Sequence, residues 1–229
     1  MWVQYRDPMA RETLSRDQIV RAAVEVLDAE GVSGLNMRRL GTQLGAAPTA
    51  VYYHVQNKDE LVVLAADQVW SEIELPDVDQ VGWRRAAAQL AHGVHAMLGR
   101  HFWLLPAMST HLLYGPGKAR HDDCSLAVYE AAGFRGAEAD HAAATMLMFV
   151  IGAAQGEAAE SAWRARTRRA GADADEQLQT TLEQITAVAH QFPRLRARTE
   201  PTLQAIPEEN SFEFGLHTVL DGLQARLTN

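Results

Sequence analysis

Three features of the 229-residue sequence predict an all-α fold. No run of alternating β-branched residues offers a half-buried strand. Alanine, the best helix former, is abundant. Apolar residues recur at three- and four-residue spacing between cap and stop residues. The chain is long enough for one large domain or two small ones, and its 47% hydrophobic content excludes disorder over most of its length.

A first helix is expected over about 16–30, where Ser15 and Gln18 can form a capping box and Ile19, Ala22, Ala23, Val26 and Leu27 make the buried stripe. Asn36 can cap a second helix carrying Met37, Leu40 and Leu44. Gly45 stops it, because glycine tolerates the left-handed conformation of a helix end. Pro48 and Thr49 suit the first turn of a third helix, where the missing proline N–H costs nothing. Asn57 can cap a fourth, about 58–73, with Leu61, Val62, Leu64, Ala65 and Val69 inside. Leu75-Pro76-Asp77 marks a boundary, giving a flexible arm 1–14, a first domain 15–74 that includes the start of the linking helix, and a second domain 75–229. Further helices are expected near 80–98, 102–113, 118–132, 137–167, 174–191 and 211–227. Arg166–Asp175 and Phe192–Asn210 are expected as irregular connections.

Net charge is −8, with a pI of about 5.6. The balance is uneven: 31–58 holds three cations (Arg38, Arg39, Lys58) and no acid, whereas 61–229 holds 14 cations against 21 acids. A DNA-binding face needs only a locally positive field. The single cysteine, Cys124, excludes an internal disulfide and fits a reducing cytoplasm, as a small buried hydrophobe in preference to a reactive thiol. The N-terminus does not resemble a secretory signal, and the apolar run 142–154 is too short to cross a bilayer. Cytoplasmic location, no membrane partner, no metal and no cofactor are therefore expected. No Gly-x-Ser-x-Gly, phosphate loop or His-Glu-x-x-His is present, so no catalytic residue is assigned.

The second and third helices read as a helix-turn-helix, whose second helix enters the major groove. Val51 and Val55 face inward, which leaves the rest of the third helix for DNA. Arg38 is the candidate base reader, since a guanidinium can bridge guanine O6 and N7. Thr49, Ala50 and Tyr52 are assigned to base edges or the thymine methyl, and Tyr53, His54 and Lys58 to phosphates, which fix register. Arg6 and Arg11 could form an arm over the backbone, against plain disorder. Arg164, Arg166, Arg168 and Arg169 read as cations complementing a helix end, in preference to a second DNA contact.

The run Gly45–Lys58 with Asp59-Glu60-Leu61, and above all Tyr52-Tyr53-His54-Val55-Gln56-Asn57-Lys58, resembles the recognition segment of the tetracycline-repressor (TetR) family. The resemblance covers about 15–72 and continues more loosely into the second domain, through Ala131-Ala132-Gly133-Phe134 and Phe212-Glu213-Phe214-Gly215-Leu216; it leaves 166–210 unmatched. It implies a homodimeric regulator, expected to be a repressor, on double-stranded operator DNA with a palindromic site. It also implies a base-contacting arginine at Arg38 and a small-molecule pocket. Tetracycline-responsive members hold a drug–magnesium chelate with a histidine and a glutamate. No matching pair stands here, and Leu90 and Val94 fall at expected drug contacts, so a hydrophobic or aromatic effector is expected.

Trp70, Leu90, Val94, Trp103, Met108, His111, Met146 and Phe149 are candidates to line that pocket, with His92, His95 and Gln155 as further polar anchors. Core packing explains the same residues one by one. Small residues on the long helix, Gly152, Gly156 and Ala159, and an apolar stripe on the last helix, Phe212, Leu216, Val219, Leu220 and Leu223, are assigned to a four-helix dimer interface. Their burial within one subunit is the alternative. Two other functional classes fit the same residues: a DNA-binding regulator without small-molecule input, and a helical enzyme or carrier with a relic reader domain.

Overall fold

The computed structural model describes residues 14–171, 173–199 and 210–228, within which there are twelve α-helices and no strand. The expected N-terminal arm with Arg6 and Arg11 lies outside the described residues. The helices are α1 (Arg16–Glu30), α2 (Met37–Gln43), α3 (Pro48–His54), α4 (Lys58–Trp70), α5 (Val78–Val81), α6 (Trp83–Arg100), α7 (Leu104–Thr110), α8 (Pro116–Ala132), α9 (Ala137–Arg169), α10 (Ala174–Ala189), α11 (Pro193–Thr199) and α12 (Ser211–Leu227).

Local chemistry sets the first four. The Ser15 hydroxyl accepts from Gln18 N–H at 3.2 Å while the Gln18 side chain accepts from Ser15 N–H at 2.9 Å, a complete capping box. Asn36 caps α2 by accepting from Arg38 N–H at 2.9 Å, and Asn57 caps α4 by accepting from Glu60 N–H at 2.8 Å, each a contribution of about 1 kcal/mol. Gly45 turns the chain between α2 and α3 with φ +61°, which a side chain would strain. At Gly41 a Cβ would stand 3.1 Å from the Ala46 carbonyl oxygen, so the two helices cross at backbone distance.

In the second domain α6, α8, α9 and α12 pack together, and their buried faces include Leu90, Val94, Met97, Val128, Tyr129, Met146, Val150, Leu216 and Leu220. This core runs without a break into that of the first domain through Val62, Ala66, Val69 and Trp70 on α4. Cys124 is half-buried, and burial pushes its thiol pKa up.

Four details depart from the sequence reading. The long helix continues to Arg169, so Arg166–Arg169 form its basic last turn, not a loop. A short helix, α11, occupies part of the connection expected to be irregular. The linking helix ends at Trp70, where Ser71 N–H is shared among the last carbonyls. Finally, α9 is long and apolar enough, by length and composition, to cross a bilayer, its most apolar 18-residue window averaging 1.3 in mean hydropathy. It packs on α6, α8 and α12 of its own chain; 28% of that window is buried, and its exposed positions include Thr145, Met148, Gly152 and Gly156.

Two polar contacts fix α4 between the domains. The buried His101, at the corner between α6 and α7, binds Asp28 of α1 at 2.7 Å through Nδ1 and Glu72, just past α4, at 3.1 Å through Nε2. The Trp103 indole N–H donates to the same Asp28 oxygen at 2.7 Å. Asp67 of α4 accepts from Lys118 N–H at 2.9 Å and so caps α8, whose Gly115 and Gly117 lie so near that a Cβ on either would collide with Asp67.

Burial alone would lower the His101 pKa, but hydrogen bonds and charge from Asp28 and Glu72 outweigh it and hold it above the ordinary value. A raised folded pKa gives stabilisation that is complete below the unfolded value of about 6.5 and is lost as pH rises through the folded pKa. His101→Asn should therefore lower Tm by about 3–6 °C at pH 6 and by less at pH 8.5 in scanning calorimetry. An equal loss at both pH values would remove the charged hub from the account.

Candidate nucleic-acid interface and the domain behind it

Pro48 starts α3 and Val51 and Val55, both fully buried, anchor it, so the other side chains stand outside. Tyr53 is 87% exposed and Tyr52 50%, an arrangement that single-chain packing does not explain for large aromatics. The His54 ring meets the Tyr53 ring edge-on, centroids 5.2 Å apart. Arg38, Tyr52 and Lys58 line one groove of about 500 Å³ together with Asn36 and Pro48. Thr49 is exposed and Ala50 half-exposed on the same short helix. Arg39 is tied to Glu30 at 2.5 Å, whereas Arg38 is exposed and makes no ion pair among the described residues.

A residue the sequence reading set aside also arrives here. Arg169 lines a neighbouring groove with Arg38, Arg39 and Thr42, because α9 runs on past its expected end and meets α1. Helical continuity through the arginine cluster was the signal for it.

The eight candidate pocket residues do not converge on one chamber. Leu90, Val94 and Met146 lie in the common core of α6 and α9. Trp103 is fully buried but faces Asp28 of the first domain. His111 lies 3.4 Å from Asp59 in the first turn of α4, with Met108 half-buried nearby in sequence. Phe149 stacks on Phe212, centroids 5.6 Å apart, and Trp70 sits against His121 of α8 at 4.8 Å. Of the polar anchors, His92 bonds Glu213 at 2.7 Å, His95 lies over Phe212 at 4.1 Å, and Gln155 is exposed.

The interface stripe shifts in register. Gly152, Gly156 and Ala159 are exposed with Met148, 67% exposed, on one face of α9. Leu216, Leu220 and Leu223, by contrast, are buried by their own chain, and Phe212 and Val219 are half-buried. On α12 the exposed positions include Phe214, Thr218 and Gly222. The leucines are the larger apolar surface, and α9 and α6 of the same subunit cover them first.

Comparison with known proteins agrees with this layout. Residues 19–65 match the family of bacterial regulatory proteins of the tetR type, and residues 75–227 match the tetracyclin repressor-like C-terminal domain. The chain belongs to the tetracycline-repressor family. It is 31% identical to the HTH-type transcriptional repressor DrrR1 of Streptomyces coeruleorubidus over 98% of this chain and 83% of the relative. An HTH-type transcriptional regulator of Saccharopolyspora erythraea is 37% identical over 79% of this chain and 75% of its own. The fold is similar to that of ActR, a TetR family protein of Streptomyces coelicolor solved in complex with actinorhodin, with TM-score 0.73 and 26% identity over 95% of this chain and 98% of that one.

Membership makes this chain a TetR-family transcriptional regulator that binds DNA through its helix-turn-helix, and ends the reading as an enzyme with a relic reader. On selected operator DNA, Arg38→Ala should lose about 1–3 kcal/mol and relax preference at one base position, while Lys58→Ala should weaken all sequences alike and lower the salt slope by about one. Fluorescence anisotropy against single-base operator variants checks both; uniform loss for Arg38→Ala would make it a phosphate contact.

Proposed function

We propose that the chain acts as a homodimer on an inverted-repeat operator and is released from it by a hydrophobic or aromatic molecule bound in the second domain. Residues 15–74 serve as reader and 75–229 as effector and dimerisation domain. Arg38, Thr49, Ala50 and Tyr52 read bases, and Tyr53, His54 and Lys58 hold phosphates. The observation that carries the reading is α4. Its capped start adjoins α3, and its far end is tied to α8 through Asp67, which accepts from Lys118 N–H, and to His101 through Glu72. A change in the effector core that moves α4 therefore moves the reader.

Dimerisation is supported by the uncovered face of α9 and its neighbours on α12. Small residues there let a second copy of the helix approach closely, and two readers must sit about 34 Å apart to share one face of the duplex. One observation favours a regulator without small-molecule input: Leu90, Val94 and Met146 are closed within the core. The two readings part on whether any small molecule lowers operator affinity.

Selection from a random DNA pool at physiological salt should yield an inverted repeat; enrichment of a single unpaired half-site would remove the dimeric reader. At Gly152 a Cβ meets nothing within 4 Å in the chain, so Gly152→Arg should leave the monomer folded. It should nevertheless convert the dimer to monomer in sedimentation and reduce operator affinity at least tenfold, on the order of 1.4 kcal/mol or more. A dimeric Gly152→Arg would place the interface elsewhere.

A further inference from the structure

The two grooves beside the helix-turn-helix form one trough. Leu35, Asn36 and Arg38 line both, so the groove that holds Tyr52 and Lys58 continues into one of about 580 Å³ that holds Arg39, Thr42 and Arg169. Every residue along this trough but one belongs to the first domain. The exception is Arg169, in the last turn of α9. Near its end α9 packs on α1 and buries Ala165 and Thr167, which brings Arg169, one turn beyond Ala165, to the edge of the reader.

The charges along the trough are unequal. Its one acid, Glu30, is held by Arg39 at 2.5 Å. The two acids that next follow Arg169 in the chain are engaged as well. Asp173 caps α10 by accepting from the N–H groups of Asp175 and Glu176, and the Asp175 carboxylate is tied to Arg164. Arg169, like Arg38 and Lys58, makes no ion pair among the described residues. A basic last turn ordinarily offsets the partial negative charge of a helix end, and Arg168, whose Nε donates to the Arg164 carbonyl at 3.4 Å, serves that purpose. Arg169 instead shares the trough with the reader's cations, and a guanidinium is a planar fork of donors that matches phosphate oxygens.

We propose that Arg169 binds a phosphate of the docked DNA, so that the second domain touches the duplex directly and not solely through α4. This contact presupposes the assignment of Arg38 and Lys58 to DNA above: a duplex that meets both lies along the trough, and Arg169 stands at its far end. A phosphate contact positions the protein and carries no sequence information. It also adds to the local positive field that a chain of net charge −8 needs at its docked face. The same helix carries the exposed Gly152 and Gly156, so α9 would join the proposed dimer face to the DNA.

Fluorescence anisotropy on the selected inverted repeat, from about 50 to about 200 mM salt, tests this with Arg169→Gln, Arg169→Lys and Arg168→Gln beside the wild type. Each phosphate contact adds about 0.9 to the slope of log affinity against log salt. For each Arg169 on the duplex, the advantage of wild type over Arg169→Gln should therefore shrink about three- to fourfold across that range. The loss should be alike on all single-base variants, and Arg169→Lys, which keeps the charge, should recover most of it. Arg168→Gln removes the same charge from the same turn and should keep the wild-type slope. Arg169 is exposed, so Arg169→Gln should leave Tm unchanged in calorimetry. A mixed-sequence duplex gives the same readout should selection yield no operator, since phosphate contacts carry non-specific binding. An unchanged slope for Arg169→Gln, a loss confined to one base position, or an equal change for Arg168→Gln would overturn the contact. If Arg38→Ala and Lys58→Ala weaken binding and Arg169→Gln does not, the contact alone falls. If Arg169→Gln acts and those two do not, the contact stands and the assignment of the α2–α3 face falls.

Discussion

The position of the reader depends on one shared proton donor, the buried imidazole of His101. It sits at a corner of the second domain and holds carboxylates from two other places, Asp28 at the end of α1 and Glu72 beyond α4. Trp103 adds a donor to Asp28, and Phe102 packs at the end of α1 beside Gly31. Both carboxylates keep part of their surface in water, so the cluster is worth less than the roughly 3–5 kcal/mol forfeited when one partner of a fully buried pair is removed. Its value lies in direction. Three helical elements that are distant in sequence are made to meet at one ring with fixed donor positions.

Asp67 adds a second constraint of another kind. As the cap of α8 it must stay within hydrogen-bond reach of Lys118 N–H, and the absence of side chains at Gly115 and Gly117 lets the helix end come that close. This cap and the His101 cluster hold the far end of α4 at two points, while Asn57 caps its start next to α3 in sequence.

What the sequence disclosed and what it hid follow from range. The capping box of Ser15 and Gln18 and the caps Asn36 and Asn57 act over two or three residues, so their chemistry is legible from neighbours alone. The outward crowding of Tyr52 and Tyr53 is legible for the same reason, because Val51 and Val55 leave them no other side. The His101 cluster joins residues 73 and 29 positions apart, and no local pattern marks it. Apolar spacing on α12 reveals a stripe but not which neighbour covers it; Leu216, Leu220 and Leu223 went to their own chain. Trp70 and His121 could be named as a tryptophan and a histidine, but that the Trp70 indole nitrogen and His121 Nε2 lack partners among the described residues emerges only when α4 and α8 are packed.

The unbroken apolar core bears on how such regulators can be recombined. With Val62, Ala66, Val69 and Trp70 filled in from both sides, residues 15–74 are not a detachable cassette. A hybrid joined at the proline after α4 would set Asp28 and Asp67 against a foreign corner and a foreign α8, leaving two carboxylates with no assigned partner and a seam cut to the wrong depth. The unit that can be exchanged between relatives is the reader together with its sockets: His101, Trp103 and the Gly115–Lys118 turn. New DNA specificity is therefore easier to obtain by changing the outward residues of α3 in place than by transplanting the helix-turn-helix.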